Sequence, residues 1–327
     1  MIYYKEKINE LLLNTSITSD EIYDLEFYQN KEEVLKAFKF YNETLINNYY
    51  YGIDPSYLFF ENNLSINAKA TKDVDGKYII SINIGTIHFL IEKIKKTNIF
   101  DNVVVVKLLQ PYFDLPISVL MYQMGLHFTF YHELAHLIQK SEYLNNSMVE
   151  ENSDVFDLKK HVLEMDADSF SGVMMSTHVL QYSEKMLPRA NKEIYQGLFI
   201  IFLIPIILYL LSFKGNDKEF YLFENSHPHP SIRLISIIMT IIDYAKITLE
   251  KKEISFKNDE VFEILILSMS ICEESQELLF DDKRVSKLKA IYINNKIEII
   301  RYIKRIEEEK ENYINDLAIS KRNQHIF

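Results

Sequence analysis

His132, Glu133 and His136 stand in the run Tyr131-His132-Glu133-Leu134-Ala135-His136-Leu137, and the HExxH spacing puts two imidazoles one turn apart on a single helix face. Two such imidazoles can share one metal ion. Neutral imidazole nitrogen binds zinc at about 2.0–2.1 Å, and a catalytic zinc site uses three protein ligands and keeps a fourth position for water. Glu133 sits beside that position, where its carboxylate can accept a proton from the activated water and later return it to a leaving amine. This is the chemistry of peptide-bond hydrolysis. The flanking residues, LHFTFYHELAHLI, are mostly apolar, so a merely solvated His-Glu-His face would be poorly placed in this helix, and buried imidazoles need partners.

A third ligand of suitable type follows in Glu164-Met165-Asp166-Ala167-Asp168, 28 residues after His136. Glu164 and Asp168 share a helix face at i,i+4 spacing. That spacing lets Glu164 reach the metal while Asp168 hydrogen-bonds the outer nitrogen of a ligating histidine and fixes its orientation. Small Ala167 permits a close helix approach. Asp166 and His161 are the alternative candidates for the third ligand, and on the plainest reading the acidic run is a solvated helix face. The expectation is one zinc per chain, on His132, His136 and Glu164.

HELAH followed by EMDAD resembles the gluzincin metallopeptidases, whose third ligand is a Glu in an ExxxD helix. The likeness is nearest to the M48-type peptidases, whose ExxAD helix matches Glu164, Ala167 and Asp168, and to the phage-exclusion peptidases of the Lit type. Those families carry a later His-Pro segment ending in Arg, and here Ser226-His227-Pro228-His229-Pro230-Ser231-Ile232-Arg233 stands in the corresponding order. The resemblance implies that His227 faces the cleft and steadies the oxyanion of the tetrahedral intermediate, with Arg233 bracing the site. Without it, the segment reads as a Pro-rigid loop that starts a helix at Ser231, with His227 and His229 exposed. The resemblance also implies a zincin-like core in which a substrate strand pairs along a sheet edge offered by KYIISINIG. It covers roughly residues 77 to 235. M48-type enzymes usually carry several membrane helices and this chain has at most one, which brings it nearer the Lit type.

The elements that would position these residues are mainly helical. Gly (7) and Pro (7) are both scarce, leaving few sites for the sharp turns of an all-β fold. The pattern predicts an α+β chain dominated by α. Its parts are an N-terminal helical region over 1–60 with a helix start at Ser19-Asp20-Glu21, a metallopeptidase core over 61–240, and a C-terminal helical region over 241–327. NLSINAKA and KYIISINIG read as a hairpin turning at Asp75-Gly76. TIHFLIEKIKKT reads as a helix, and VVVVKLL as a strand or a buried helix start. A helix runs from Pro116 through the HExxH motif, and after the connection SEYLNNSMVEENSD a second resumes near Val155. Helices recur over 231–250 and 258–276, then as a long amphipathic pattern over 284–316 whose RIEEEKEN run is a solvated face with i,i+4 pairs.

Residues 194–213, IYQGLFIIFLIPIILYLLSF, contain no charge and are long enough to cross a bilayer. Pro205 lies in the middle, and one crossing would separate the Glu164 helix from the HPHP segment. A buried core helix, or a Pro-broken pair of short ones, is favoured over a membrane segment. Hydrophobic residues make up 48% and charged residues 25%, a globular composition. The net charge of −11 argues against nucleic acid as a partner. A lone Cys272 outside any metal-ligand spacing suits a reducing, cytoplasmic setting, and the first residues lack the pattern of a secretory signal. Three functions compete on these grounds. The first is a cytoplasmic zinc endopeptidase acting on a protein or peptide substrate, with a defence role implied by the resemblance alone. The second is the same core attached to a membrane through 194–213 for quality control. The third is a non-catalytic interaction protein with a structural or degenerate metal site, disfavoured because structural zinc has no need of Glu133.

Overall fold

The computed structural model describes residues 1–97, 99–146, 148–149, 155–187, 189–213 and 219–324. They form, in chain order, α1 (Ile2–Asn14), α2 (Lys31–Asn47), β1 (Ser56–Glu61), β2 (Ala68–Lys72), β3 (Tyr78–Asn83), α3 (Ile84–Phe89), α4 (Val104–Leu109), α5 (Ile117–Gln139) and β4 (Met148–Val149). Then follow α6 (Leu158–Met186), α7 (Lys192–Leu211), α8 (Pro230–Glu250), α9 (Asn258–Glu274), α10 (Gln276–Phe280), α11 (Arg284–Glu309) and α12 (Ala318–Gln324). The fold is mainly helical with one small sheet. It divides into two compact units: 1–89 with 129–150 and 313–327, and 90–128 with 151–312. The continuous helix α5 contributes to both units.

The first unit is built on the sheet, in the order β1-β3-β2-β4. The hairpin expected at Asp75-Gly76 is present: β2 pairs antiparallel to β3, with Ala70 opposite Ile80. Gly76 takes φ 81° at the turn, a left-handed conformation that glycine adopts without steric cost. β1 was not apparent in the sequence and pairs in parallel on the other side of β3, with Phe59 opposite Ser81. β3 is therefore an interior strand, buried at all six positions, and the edge role implied for KYIISINIG is corrected. Both of its hydrogen-bonding sides are already occupied. α1 packs Leu11 against Phe59 and Ile79, and α2 brings Phe38 edge-on to Phe60. Gly85 lets the chain leave β3 for α3, because a Cβ there would stand 2.2 Å from the Leu64 carbonyl oxygen.

Ser19-Asp20-Glu21 does not start a helix. The Glu21 carboxylate accepts from the Thr18 N–H at 2.8 Å, closing a turn, and Ile22 then bridges to Glu61 of β1. The second helix begins at Lys31 instead.

In the second unit the ambiguous VVVVKLL is helical, as α4. α6 and α8 approach closely where Gly172 faces Thr240 and the Ile237 carbonyl, and Ser176 donates to Ile241 O at 2.9 Å. α7 is one continuous helix with Pro205 inside it, buried from Gly197 through Leu211. Two glycines let neighbours come close. Gly197 lies against Val105 and Leu109, and Gly125 against Leu90 and Pro205. The helices expected over 231–250 and 258–276 are α8 and α9. The long amphipathic stretch is α11, followed by a tight turn at Lys310–Tyr313 and by α12. In the connection between α5 and α6, residues 147 and 150–154 lie outside the described residues.

Candidate metal centre

α5 carries the HExxH residues in its C-terminal half. Its apolar residues, among them Phe128, Phe130, Leu134, Ala135 and Leu137, are buried, so the polar face of the motif is enclosed with them. His132, Glu133 and His136 are 2%, 1% and 1% exposed, which excludes the solvated face. The two imidazoles are perpendicular, their centroids 4.6 Å apart, and their Nε2 atoms approach to 3.0 Å. His136 Nδ1 lies 2.9 Å from Gln139 Oε1. With the amide oxygen accepting from Nδ1–H, the His136 Nε2 lone pair is the one left to face a metal. Gln139 is itself 1% exposed.

α6 is capped by Asp157, whose side chain accepts from Lys160 N at 3.1 Å, and carries Glu164 and Asp168 one turn apart, both buried. Asp168, expected to orient a ligating histidine, is clasped by Arg233 of α8. Arg233 Nε donates to Oδ2 at 2.8 Å and Nη2 to Oδ1 at 2.9 Å. The same Nη2 stands 3.9 Å from Glu164 Oε2. Arg233 thus supplies the countercharge to Glu164 and Asp168 of α6. The partner found for the Nδ1 of a motif imidazole is Gln139 of α5.

The HPHP segment leads into α8 one residue earlier than read from sequence. Pro230 takes the first helical position, and His229 is the N-cap, its Nδ1 accepting from Ser231 N at 3.2 Å. His227 and His229 are not exposed, at 8% and 1%. His227 Nε2 lies 3.4 Å from Glu164 Oε1 and its Nδ1 lies 3.0 Å from Ser226 Oγ. Burial pushes the His229 pKa down to about 4, consistent with a neutral ring that accepts the cap bond.

His161 has both ring nitrogens engaged, by the Asn225 carbonyl at 2.7 Å and the Tyr302 hydroxyl at 2.8 Å. Its pKa falls to about 4, chiefly through burial. It ties the start of the His-Pro segment to α6 and α11 rather than offering a lone pair to a metal. Asp166 is buried too, but the group that converges consists of His132, His136 and Glu164. One ligand atom from each lies within 4.8 Å of the other two.

Gln139, Ser226 and Tyr302 were not singled out in the sequence. Gln139 could have been, since it lies three residues beyond His136 on the same helix face. Tyr302, 141 residues from His161, left no local signal. No family model, curated protein or solved structure matches the chain.

Proposed function

We propose that the chain is a zinc-dependent endopeptidase of the gluzincin kind, hydrolysing peptide bonds of a protein substrate in the cytoplasm. The observation that carries the proposal is the buried convergence of two imidazoles and one carboxylate, with Glu133 on the turn between the imidazoles. Two nitrogens and one carboxylate oxygen are a donor set suited to zinc with a position left for water, whereas magnesium and calcium favour oxygen throughout. The engagement of His136 Nδ1 by Gln139 supports the same reading, because ligating histidines are held by their outer nitrogen. A zincin-like core belongs to this reading, as does a phage-exclusion type of role.

His132, His136 and Glu164 would hold the zinc, which would supply Lewis acidity for acidifying a water and polarising the scissile carbonyl. Glu133 takes the proton from the attacking water and passes it to the amine as the C–N bond breaks. His227 donates through Nε2 to the oxyanion that develops on the carbonyl oxygen, and Ser226 at Nδ1 holds the ring in place. Arg233 keeps the carboxylates of Asp168 and Glu164 in register without joining the reaction.

The test is zinc content per chain together with cleavage of a denatured-protein mixture. Wild type carries one zinc and cleaves. Glu164→Ala loses the zinc. Glu133→Gln keeps it and loses about 10²–10⁴ in rate, the usual contribution of a general base. A wild-type chain that takes up no zinc when it is offered overturns the proposal.

A further inference from the structure

The end of the helix that bears the two histidines is held by a residue from the other end of the chain. Lys321 of α12 donates through Nζ to Ile138 O at 2.8 Å and to Gln139 O at 3.0 Å. These are among the last carbonyls of α5, which have no partner inside the helix, and a cation there also opposes the negative end of the helix dipole. Lys140, the next residue, has φ 55°, so the chain turns away from the helix axis directly after the gripped turn. α12 is anchored by buried Leu317 and Ala318, and residues 313–327 belong to the same compact unit as 129–150. One of the two residues whose carbonyls Lys321 holds, Gln139, is also the residue whose side chain meets His136 Nδ1.

We infer that Gln139 and Lys321 are positioning residues of the metal centre. Gln139 keeps the proton of His136 on Nδ1 and sets the ring, and Lys321 clamps the turn from which Gln139 acts. The C-terminal helix is then a working part of the site and not an appendage. The inference rests on the metal-site reading above and extends it to residues that touch neither metal nor substrate.

The experiment compares the full-length chain with Gln139→Leu, Gln139→Glu, Lys321→Met and Lys321→Arg. It measures zinc affinity by competition with a chromophoric chelator and visible absorption after cobalt loading. Thermal melts of the zinc-free proteins separate loss of fold from loss of site. Gln139→Leu and Lys321→Met should bind zinc about 10- to 100-fold more weakly, the usual cost of losing an outer partner of a ligand, with altered cobalt bands. Gln139→Glu, which keeps an acceptor at Nδ1, and Lys321→Arg, which keeps a cationic donor, should stay near wild type. If wild type binds zinc and both Gln139→Leu and Lys321→Met bind it as tightly, the positioning role is overturned and the metal reading stands. If Lys321→Arg loses as much as Lys321→Met, the clamp is overturned for Lys321. A wild-type chain that binds neither metal overturns the metal reading and this inference together.

Discussion

Arg233 and Asp168 form a bidentate ion pair in which the guanidinium is 4% and the carboxylate 0% exposed. Both charges are out of water, so each depends on the other, and Arg233 is also the cation nearest Glu164 Oε2 in this group. Breaking such a pair from one side leaves a buried charge uncompensated, at a cost of about 3–5 kcal/mol. Arg233→Met should therefore lower the urea midpoint of the zinc-free protein by about that free energy. Arg233→Lys should recover only part of it, since an ammonium cannot make the paired contact. Replacing both residues, as Arg233→Met with Asp168→Leu, should restore much of the loss, because apolar substitution of a whole buried pair is often close to neutral. Equal losses in the single and double variants would mean that the pair is not the source of the stability.

Buried histidines make the fold sensitive to mild acid. Burial lowers the pKa of His161 and His229 to about 4 and that of His127 to about 3, and it lowers His178 as well. His127 and His178 are stacked with centroids 4.6 Å apart, so protonating both would add repulsion. Each group sits below its unfolded value of about 6.5, so the unfolded chain binds more protons between that value and the folded pKa. Stability is then complete above about pH 6.5 and falls as the pH drops towards 4. Urea midpoints measured between pH 7.5 and 4.5 should decline through this window, above the range where most carboxylates titrate. His229→Asn keeps an N-cap acceptor for Ser231 and removes one titrating group, so its decline should be shallower than that of wild type. An unchanged slope would remove His229 from the explanation.

The site was legible wherever its parts are local. HELAH places two imidazoles on one face by helix geometry alone, and EMDAD places Glu164 and Asp168 one turn apart. The hairpin turn at Asp75-Gly76 needs only a residue that tolerates positive φ. Parts that depend on distant partners were not legible. SYLFFE becomes a strand by parallel pairing with β3, and its sequence neighbours carry no sign of it. That pairing is also why the edge role of β3 fails, although the burial of YIISIN on both faces is the usual mark of an interior strand. Asp168 was given an imidazole partner because i,i+4 spacing describes its own helix. The guanidinium that clasps it comes from 65 residues away. Lys321, 182 residues from Gln139, is the extreme case.

α7 is the helix on which a membrane-attached setting would depend. Over an 18-residue window this 20-residue helix has a mean hydropathy of 2.4, enough to cross a bilayer by length and composition. Yet 89% of that window is buried, whereas a membrane span would turn much of its apolar surface outward to lipid. The burial has specific partners: Tyr195 Oη lies 2.9 Å from Ser183 Oγ, and Phe199 packs edge-on to Phe256. As a core helix, α7 should tolerate truncation badly, with Leu203→Ala costing about 2–5 kcal/mol through the cavity it leaves. Ile201→Asp, which buries an unpaired charge, should prevent accumulation of folded protein altogether. Expressed wild type should stay in the supernatant after cell membranes are pelleted and washed at high pH, with no detergent present. Recovery in the pellet, released only by detergent, together with a small effect of Leu203→Ala, would make α7 a membrane element that packs on itself when no bilayer is present.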